Sequence, residues 1–466
     1  MSVAVALQNY SFAYPGGAPV LKDCSFSLQY GELVVLSGLS GRGKTTLLSA
    51  VSGVIPHCVR GEAQGEILVD GRPTGEMGMS DIARKVGYVI QNPDNQIFHS
   101  RVADEIAFGC ENLNLPPAEI GRRIGEVCTM LELDREAETR TLSGGQKQRL
   151  MMACVLAMGQ KILLLDEPLA NLDIAGAYLL LKVLKKLCAK GYAVLLAEHR
   201  LDMMLPFADR VFRLENGALQ KAEKARLHDK SLRQITHVSA PRPFLGKHLC
   251  AEQVAFSAGK KEILHTMNLD IQRGTRTVIL GENGCGKTTF LRILAGLIKP
   301  TGGRVDADIP AKPGSRRWFR SVGYVYQEPS YQLFAPTVNE ELMGGARNGW
   351  GQRCLRAFDL EELAQRHPHS LSEGQKRRVS IAAVCAGAPE ILLLDEPTVG
   401  QDDGNLELLI HALNEMHEET GNTIVTITHD RRCAAALADR VIWVAHGRVA
   451  RLGGKELIDA YFARAF

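Results

Sequence analysis

A lysine and a threonine follow a glycine-spaced loop twice in this chain, in Gly38-x4-Gly43-Lys44-Thr45 and in Gly281-x4-Gly286-Lys287-Thr288. Glycines at that spacing let successive backbone N–H groups wrap phosphates, and a helix starting there adds its positive end. The first loop runs through Gly38, Leu39, Ser40, Gly41, Arg42, Gly43, Lys44, Thr45 and Thr46. The second runs through Gly281, Glu282, Asn283, Gly284, Cys285, Gly286, Lys287, Thr288 and Thr289. In such loops the lysine would reach the β and γ phosphates of a nucleotide and the threonine hydroxyl would ligate Mg2+. One match could be a chance glycine-rich turn. Two, each after an apolar strand and before a helix, make chance a poor account.

Asp166-Glu167 and Asp395-Glu396 are the second candidate pair, each closing a run of aliphatic residues in the heptapeptide ILLLDEP at 162 and 391. An acid at a strand's exit is placed to hold Mg2+ through water, and the next carboxylate to orient and polarise an attacking water. A solvated acidic turn would not explain an identical heptapeptide in two places. LSGGQ at 142 and LSEGQ at 371 begin helical segments, offering a hydroxyl and open backbone at a positive helix end. The residues concerned are Ser143, Gly144 and Gly145 in one copy, and Ser372 and Gly374 in the other.

These motifs recur in fixed order, with LSGGQ and ILLLDEP sharing an offset of 229 residues (371 − 142 and 391 − 162). Even an unusual polar stretch repeats: QNPDNQIF at 91–98 and QEPSYQLF at 327–334. A repeat of this length means two homologous domains rather than a solenoid, and 466 residues suit two. The expected division is a domain over 1–221, a charged, apolar-poor linker over 222–247 containing Pro241 and Pro243, and a domain over 248–466. Within each copy, Leu33–Leu36 or Thr277–Leu280 reads as a strand entering the glycine loop. ILLL and AVLLA (193–197) or TIVTIT (423–428) read as buried parallel strands. Residues 3–30 and 250–272 alternate as antiparallel strands do, and the stretch before each LSGGQ-type segment reads as helical. The fold class is therefore α/β.

Composition narrows the function classes. A formal net charge of +3 is too small in this length to argue for nucleic acid. No run approaches the roughly 20 apolar residues of a membrane span, and MSVAVALQNY lacks the basic-then-apolar order of a signal peptide. The 11 cysteines stand singly with no CxxC pair, which fits reduced thiols in a cytosolic chain and argues against disulfides, zinc or an iron–sulfur cluster. Cys285, beside Lys287 at a helix N-terminus, is expected to favour its thiolate.

With a phosphate loop, an LSGGQ segment and ILLLDEP in this order, nearly the whole chain resembles the ABC-type ATPases. The resemblance implies two tandem domains, each a mostly parallel core sheet with an antiparallel β subdomain and a helical subdomain. It implies composite ATP sites, one joining Lys44 to Ser372 and Gly374, the other joining Lys287 to Ser143 and Gly145. It further implies that Glu167 and Glu396 are catalytic, that Gln91 and Gln327 touch both the reaction and Mg2+, and that His199 and His429 contact the γ phosphate. Thr45, Thr288, Asp166 and Asp395 would serve the metal, Asp173 and Asp402 match a loop communicating between domains, and Tyr14 and Phe256 resemble the aromatic that stacks on adenine. The second copy departs in Glu373, where the first has Gly, and in Gln401, where the first has Leu172.

QNPDNQIF with its continuation RVADEIAFGCEN, and EPTVGQD at 396–402, look like the fused ATPases of energy-coupling-factor (ECF) importers of vitamins and transition-metal ions. That resemblance implies an integral membrane coupling subunit, a substrate-binding membrane subunit and a place at the cytoplasmic membrane face. Asp104, Glu105, Glu340 and Glu341 are expected either to meet basic residues of that partner or simply to favour a helix start. A sugar-importer ATPase, or a soluble tandem protein acting on ribosomes or DNA, is the alternative.

Overall fold

The protein, described by a computed structural model over residues 2–39, 41–170, 172–198, 201–224 and 247–463, is built as two units, Met1–Arg233 and Gln234–Phe466. Of the expected linker, residues 225–246 lie outside the described residues.

In unit one, Val3–Ala13 pairs antiparallel with Pro19–Gln29 and with Glu62–Val69, and Arg72–Pro73 closes this sheet of four strands. Its inward residues, among them Leu7, Phe12, Leu21 and Leu28, join one core with Leu47, Leu48 and Val51 of the helix after the glycine loop. The second sheet has the spatial order Ala218–Ala222, Arg210–Glu215, Leu33–Ser37, Ala193–Ala197, Ile162–Asp166, Val86–Val89. All its neighbours run parallel except the outermost pair, Ala218–Ala222 against Arg210–Glu215. Leu33–Ser37, Ile162–Asp166 and Ala193–Ala197 are buried at every residue, which is why their sequences are unbroken apolar runs rather than alternations. Helices Val102–Asn112, Pro117–Met130 and Gly144–Met158 pack together beyond the edge strand.

Unit two repeats the plan with trims. Its antiparallel sheet has three strands, Lys261–Gln272, Lys247–Ala258 and Gly302–Ala307. Its six-stranded sheet runs Val322–Val325, Ile391–Asp395, Thr423–Ile427, Arg276–Leu280, Arg440–Ala445, Arg448–Gly453, parallel except for the last pair. The helical part is shorter, with Val338–Met343 and Trp350–Ala357 beside Glu373–Ala386.

One buried imidazole sits where the two sheets of unit two meet. Thr423 Oγ1 accepts from the Gly274 N–H at 2.9 Å and hydrogen-bonds with His248 Nδ1 at 2.6 Å. His248 Nε2 is buried without a partner, and burial first, then Arg273, pushes the imidazole down to about 4 against the opposing pull of Glu390 and Asp308. A folded-state pKa below the unfolded value means the unfolded chain binds the proton first. Stability is thus complete above the unfolded value of 6.5 and is lost as pH falls toward about 4. The loss amounts to something on the order of 3 kcal/mol. All three tryptophans, Trp318, Trp350 and Trp443, lie in this half, so their fluorescence reports its unfolding. Urea titrations at pH 7 and pH 4.5 should show most of that loss in the wild type and much less of it in His248→Gln. Equal losses in both proteins would refute the assignment.

Candidate nucleotide sites and the loops beside them

Strand Leu33–Ser37 delivers the chain into the first glycine loop, and helix Lys44–Val51 leaves it. Gly43 caps that helix at φ 99°, where a Cβ would lie 2.8 Å from Val20 Cγ1, so both conformation and space demand glycine. Gly286 repeats this at φ 97°, with a Cβ 2.5 Å from Leu264 Cδ2. Lys44 Nζ donates to the carbonyls of Gly38 (2.8 Å) and Leu39 (3.1 Å); Lys287 Nζ donates to Gly281 (2.8 Å) and Glu282 (2.9 Å). Each ammonium is thereby folded back across the mouth of its own loop. Leu39, Gly41, Arg42 and Thr46 in one loop, and Asn283, Gly284 and Thr289 in the other, occupy the expected curve. Ser40 and His199 lie outside the described residues.

The acids come to the loops from the parallel strand one further along each sheet, with Ala193–Ala197 or Thr423–Ile427 lying between. Thr45 Oγ1 donates to Asp166 Oδ2 at 2.7 Å and Thr288 Oγ1 to Asp395 Oδ1 at 3.1 Å. A hydroxyl and a carboxylate oxygen converging beside a phosphate loop are the hard oxygen donors that Mg2+ takes. Burial pushes the Asp395 carboxyl up, against Tyr324, whose hydroxyl donates to Oδ2 at 2.9 Å.

Glu167 and Glu396 both stand in the left-handed region, at φ 48° and φ 51°. Such a conformation costs a non-glycine residue about 1 kcal/mol or more, and the sheet holds it. Glu167 N–H donates to the Ala197 carbonyl at 2.9 Å, and Glu396 N–H to that of Ile427 at 3.0 Å. Gln91 Nε2 donates to Glu167 Oε2 at 2.7 Å, joining two of the predicted residues of half one. In half two His429 meets the carboxylate: its N–H donates to Glu396 Oε2 at 3.2 Å, and Nε2 lies 3.2 Å from Oε1. His429 Nε2 is also 3.2 Å from Asn283 Oδ1, so histidine, carboxylate and glycine loop form one cluster. Burial raises the Glu396 carboxyl to about 7.

The LSGGQ glutamine has a local cause. Ser143 caps helix Gly144–Met158, accepting from the Gln146 N–H at 3.3 Å, while Gln146 Oε1 accepts from the Ser143 N–H at 2.9 Å. Ser372 and Gln375 make the same reciprocal box on helix Glu373–Ala386. Gly145 and Gly374 follow in the first turns. Asp173 and Asp402 each cap the next long helix, accepting from Gly176 and Asn405 N–H groups at 2.8 Å. Tyr14 is exposed beside the loop helix, its hydroxyl 3.1 Å from Thr46 Oγ1. Phe256 is half-buried and leans on the core of its own unit.

The repeated polar stretch turns out to be a clamp. Gln96 Oε1 accepts from the Ile90 N–H at 3.0 Å and its Nε2 donates to the Tyr88 carbonyl at 3.1 Å. Gln332 does the same between Tyr326 (2.9 Å) and Tyr324 (2.7 Å). Glu105 Oε2 then accepts from the N–H groups of Phe98 (2.8 Å) and His99 (2.6 Å), and Glu341 Oε2 from Phe334 (2.8 Å) and Ala335 (2.7 Å). So fixed, each loop holds a phenylalanine in solvent, Phe98 at 75% exposure and Phe334 at 83%. The sequence shows Gln96 and Gln332 recurring five residues after Gln91 and Gln327, but that recurrence alone assigned them no role.

Two expectations are corrected. Glu105 is buried and Glu341 half-buried, and both carboxylates are spent on the loops, so they are internal clamps rather than partner contacts; Asp104 and Glu340 remain exposed. Cys285 is buried, and desolvation pushes its thiol up despite the lowering effect of Lys287. The thiol, not the thiolate, is its form at neutral pH.

A family model described as ABC transporter matches residues 21–170 and 264–399. The chain belongs to this family and is an ATPase with two tandem ABC domains. A Methanosarcina acetivorans protein with the provisional name ABC transporter ATP-binding protein is 31% identical over 524 residues, covering 96% of this chain and 85% of its own. Bacillus subtilis YkoD, provisionally named an HMP/thiamine import ATP-binding protein, is 32% identical over 488 residues, covering 94% and 89%. A chain from a solved structure described as ribosome-bound archaeal Pelota and ABCE1 matches with TM-score 0.73 at 22% identity, covering 98% of this chain and 81% of that one. At that identity the likeness speaks for the fold alone.

Proposed function

We propose that this chain is the ATP-binding subunit of an ECF-type importer, hydrolysing ATP at two composite sites to drive uptake of a vitamin or transition-metal ion. It would work at the cytoplasmic membrane face through two integral membrane proteins, one coupling and one substrate-binding. The observation that carries this reading is the clamped loop, built twice with the same glutamine and glutamate bonds and the same exposed phenylalanine. No helix among the described residues is long and apolar enough to cross a membrane. The provisional name of YkoD supports vitamin-type cargo.

In this reading Lys44 and Lys287 turn from loop carbonyls to the β and γ phosphates, and the glycine-loop N–H groups take the phosphate oxygens. Tyr14 and Phe256 stack on adenine. Glu167 and Glu396 orient and polarise the attacking water, with Gln91, Gln327, His199 and His429 around the γ phosphate. Thr45, Asp166 and Gln91, or Thr288, Asp395 and Gln327, would hold Mg2+, which would supply charge neutralisation at the phosphates. Ser143, Gly144, Gly145, Ser372 and Gly374 present helix N-termini to nucleotide held by the opposite half.

The test is expression alone and beside candidate integral membrane proteins from neighbouring genes. Expected is sedimentation with membranes only in the second case, with ATP hydrolysis raised several-fold by assembly. Association with ribosomes in place of membranes would overturn the reading in favour of a soluble tandem ATPase.

A further inference from the structure

The two halves differ at one buried position of the signature helix. Arg377, on Glu373–Ala386, occupies the place that Gln148 has on Gly144–Met158, each two residues after the glutamine of its capping box. Both side chains are buried. Arg377 Nη1 donates to the Glu396 carbonyl at 3.0 Å, and Nη2 to the Gln327 carbonyl at 2.7 Å. The guanidinium fork thus bridges the strained residue that carries the carboxylate and the first residue of the clamped loop. Gln401, the other departure of this half, adds a third tie by donating from Nε2 to the Gly374 carbonyl at 3.0 Å.

Half one makes none of these ties among the described residues. Both amide atoms of Gln148 are buried without a partner, and Leu172 stands in place of Gln401. The Glu167 carbonyl accepts from the Ala170 N–H at 3.2 Å, a bond local to its own turn. Helix and loop are joined there by an ion pair between half-buried Lys147 and exposed Asp94, and ion pairs open to water are worth little. Both halves anchor the loop after the carboxylate to the sheet, through Glu198 to the Leu169 N–H (3.2 Å) or through Thr398 and Thr428 (3.1 Å). Among the described residues, half two also fastens it to the signature helix through Gln401 and Gly374.

We propose that Arg377 is a positioning residue that locks Glu396 and Gln327 to the signature helix, so that the second half's carboxylate moves with that helix while the first half's does not. The proposal rests on Glu396 being the carboxylate that activates water. Burying a guanidinium is costly, and one held by two carbonyls at the catalytic loop, with Nε left without a partner, is an expensive way to fill space that a glutamine fills in the other copy.

The full-length chain provides the test, because the same substitution can be read against each carboxylate. In a Glu167→Gln background the remaining turnover depends on Glu396. There Arg377→Gln should lower kcat about ten-fold with KM for ATP unchanged, the signature of a lost alignment rather than lost binding. In a Glu396→Gln background the same change should alter kcat less than two-fold. Gln401→Leu, which installs the first half's residue, is the second variant should Arg377→Gln not fold, and should lower kcat in the first background only. Equal losses in both backgrounds, or a rise in KM in place of the fall in kcat, would show Arg377 to be structural packing. If Glu396→Gln alone leaves turnover untouched, the reading of Glu396 fails instead, which is a separate result.

Discussion

ATP turnover by the Glu167→Gln, Glu396→Gln double variant should fall by roughly 1,000-fold or more, while ATP remains bound. A positioned general base contributes about 100- to 10,000-fold, and in the proposed mechanism the double substitution removes it from both halves. Glutamine keeps the shape and keeps one hydrogen-bonding oxygen, so the Gln91 amide still has a partner in half one and the His429 N–H in half two. The ligands expected to hold nucleotide are elsewhere: glycine-loop N–H groups, Lys44, Lys287 and the threonine hydroxyls. Equilibrium binding of radiolabelled ATP, measured beside phosphate release, separates the two consequences. Hydrolysis undiminished in the double variant would remove these carboxylates from the mechanism. Loss of binding and turnover together would mean instead that the acids hold the loops in shape.

How much of this was legible beforehand depended on whether a residue's partner lies close along the chain or is recoverable from the repeat. The glycine loops were legible because positive φ and a missing Cβ leave only glycine, as Gly43 and Gly286 show. ILLLDEP was legible because a strand buried on both faces needs an unbroken apolar run, and the acid marks where it leaves the sheet. LSGGQ was read as a helix start, and its capping box supplies the local physics. The errors arose where burial outweighs neighbours in sequence. Glu105 looked like a helix-start acid open to a partner, but its carboxylate faces back to Phe98 and His99. Cys285 lies beside a lysine and a helix N-terminus, yet burial dominates its ionisation. The Arg377 tie was invisible for another reason: it ends on main-chain carbonyls, which leave no side-chain signature to match.

Phe98→Ser combined with Phe334→Ser should separate the chain from the proposed membrane partner and leave the ATPase of the isolated chain intact. A soluble surface tolerates single exposed phenylalanines, but here one is held out at the same place in both halves by the equivalent carboxylate, buried Glu105 or half-buried Glu341. Phe98 has Phe108 and His99 around it, at ring separations of 6.1 Å from Phe98 and 5.0 Å from His99 to Phe108, and Phe334 has Tyr331 nearby in sequence, 68% exposed. Each therefore marks an aromatic point on an otherwise polar loop, with exposed Asp104 or Glu340 at the following helix start. Burying a phenylalanine against a partner stabilises by about 1.5–3 kcal/mol, so losing both should weaken the complex roughly 100-fold or more. Pull-down of the detergent-solubilised membrane subunit reads this directly, with unassembled ATP hydrolysis expected to stay within about two-fold. Glu105→Ala with Glu341→Ala is the companion variant: it keeps both rings but removes the clamps that aim them, and should weaken the complex as well. Full retention of the partner by the double serine variant would show that these loops are not where the membrane subunit docks. A collapse of ATP hydrolysis in the isolated chain would show that the rings serve the site itself.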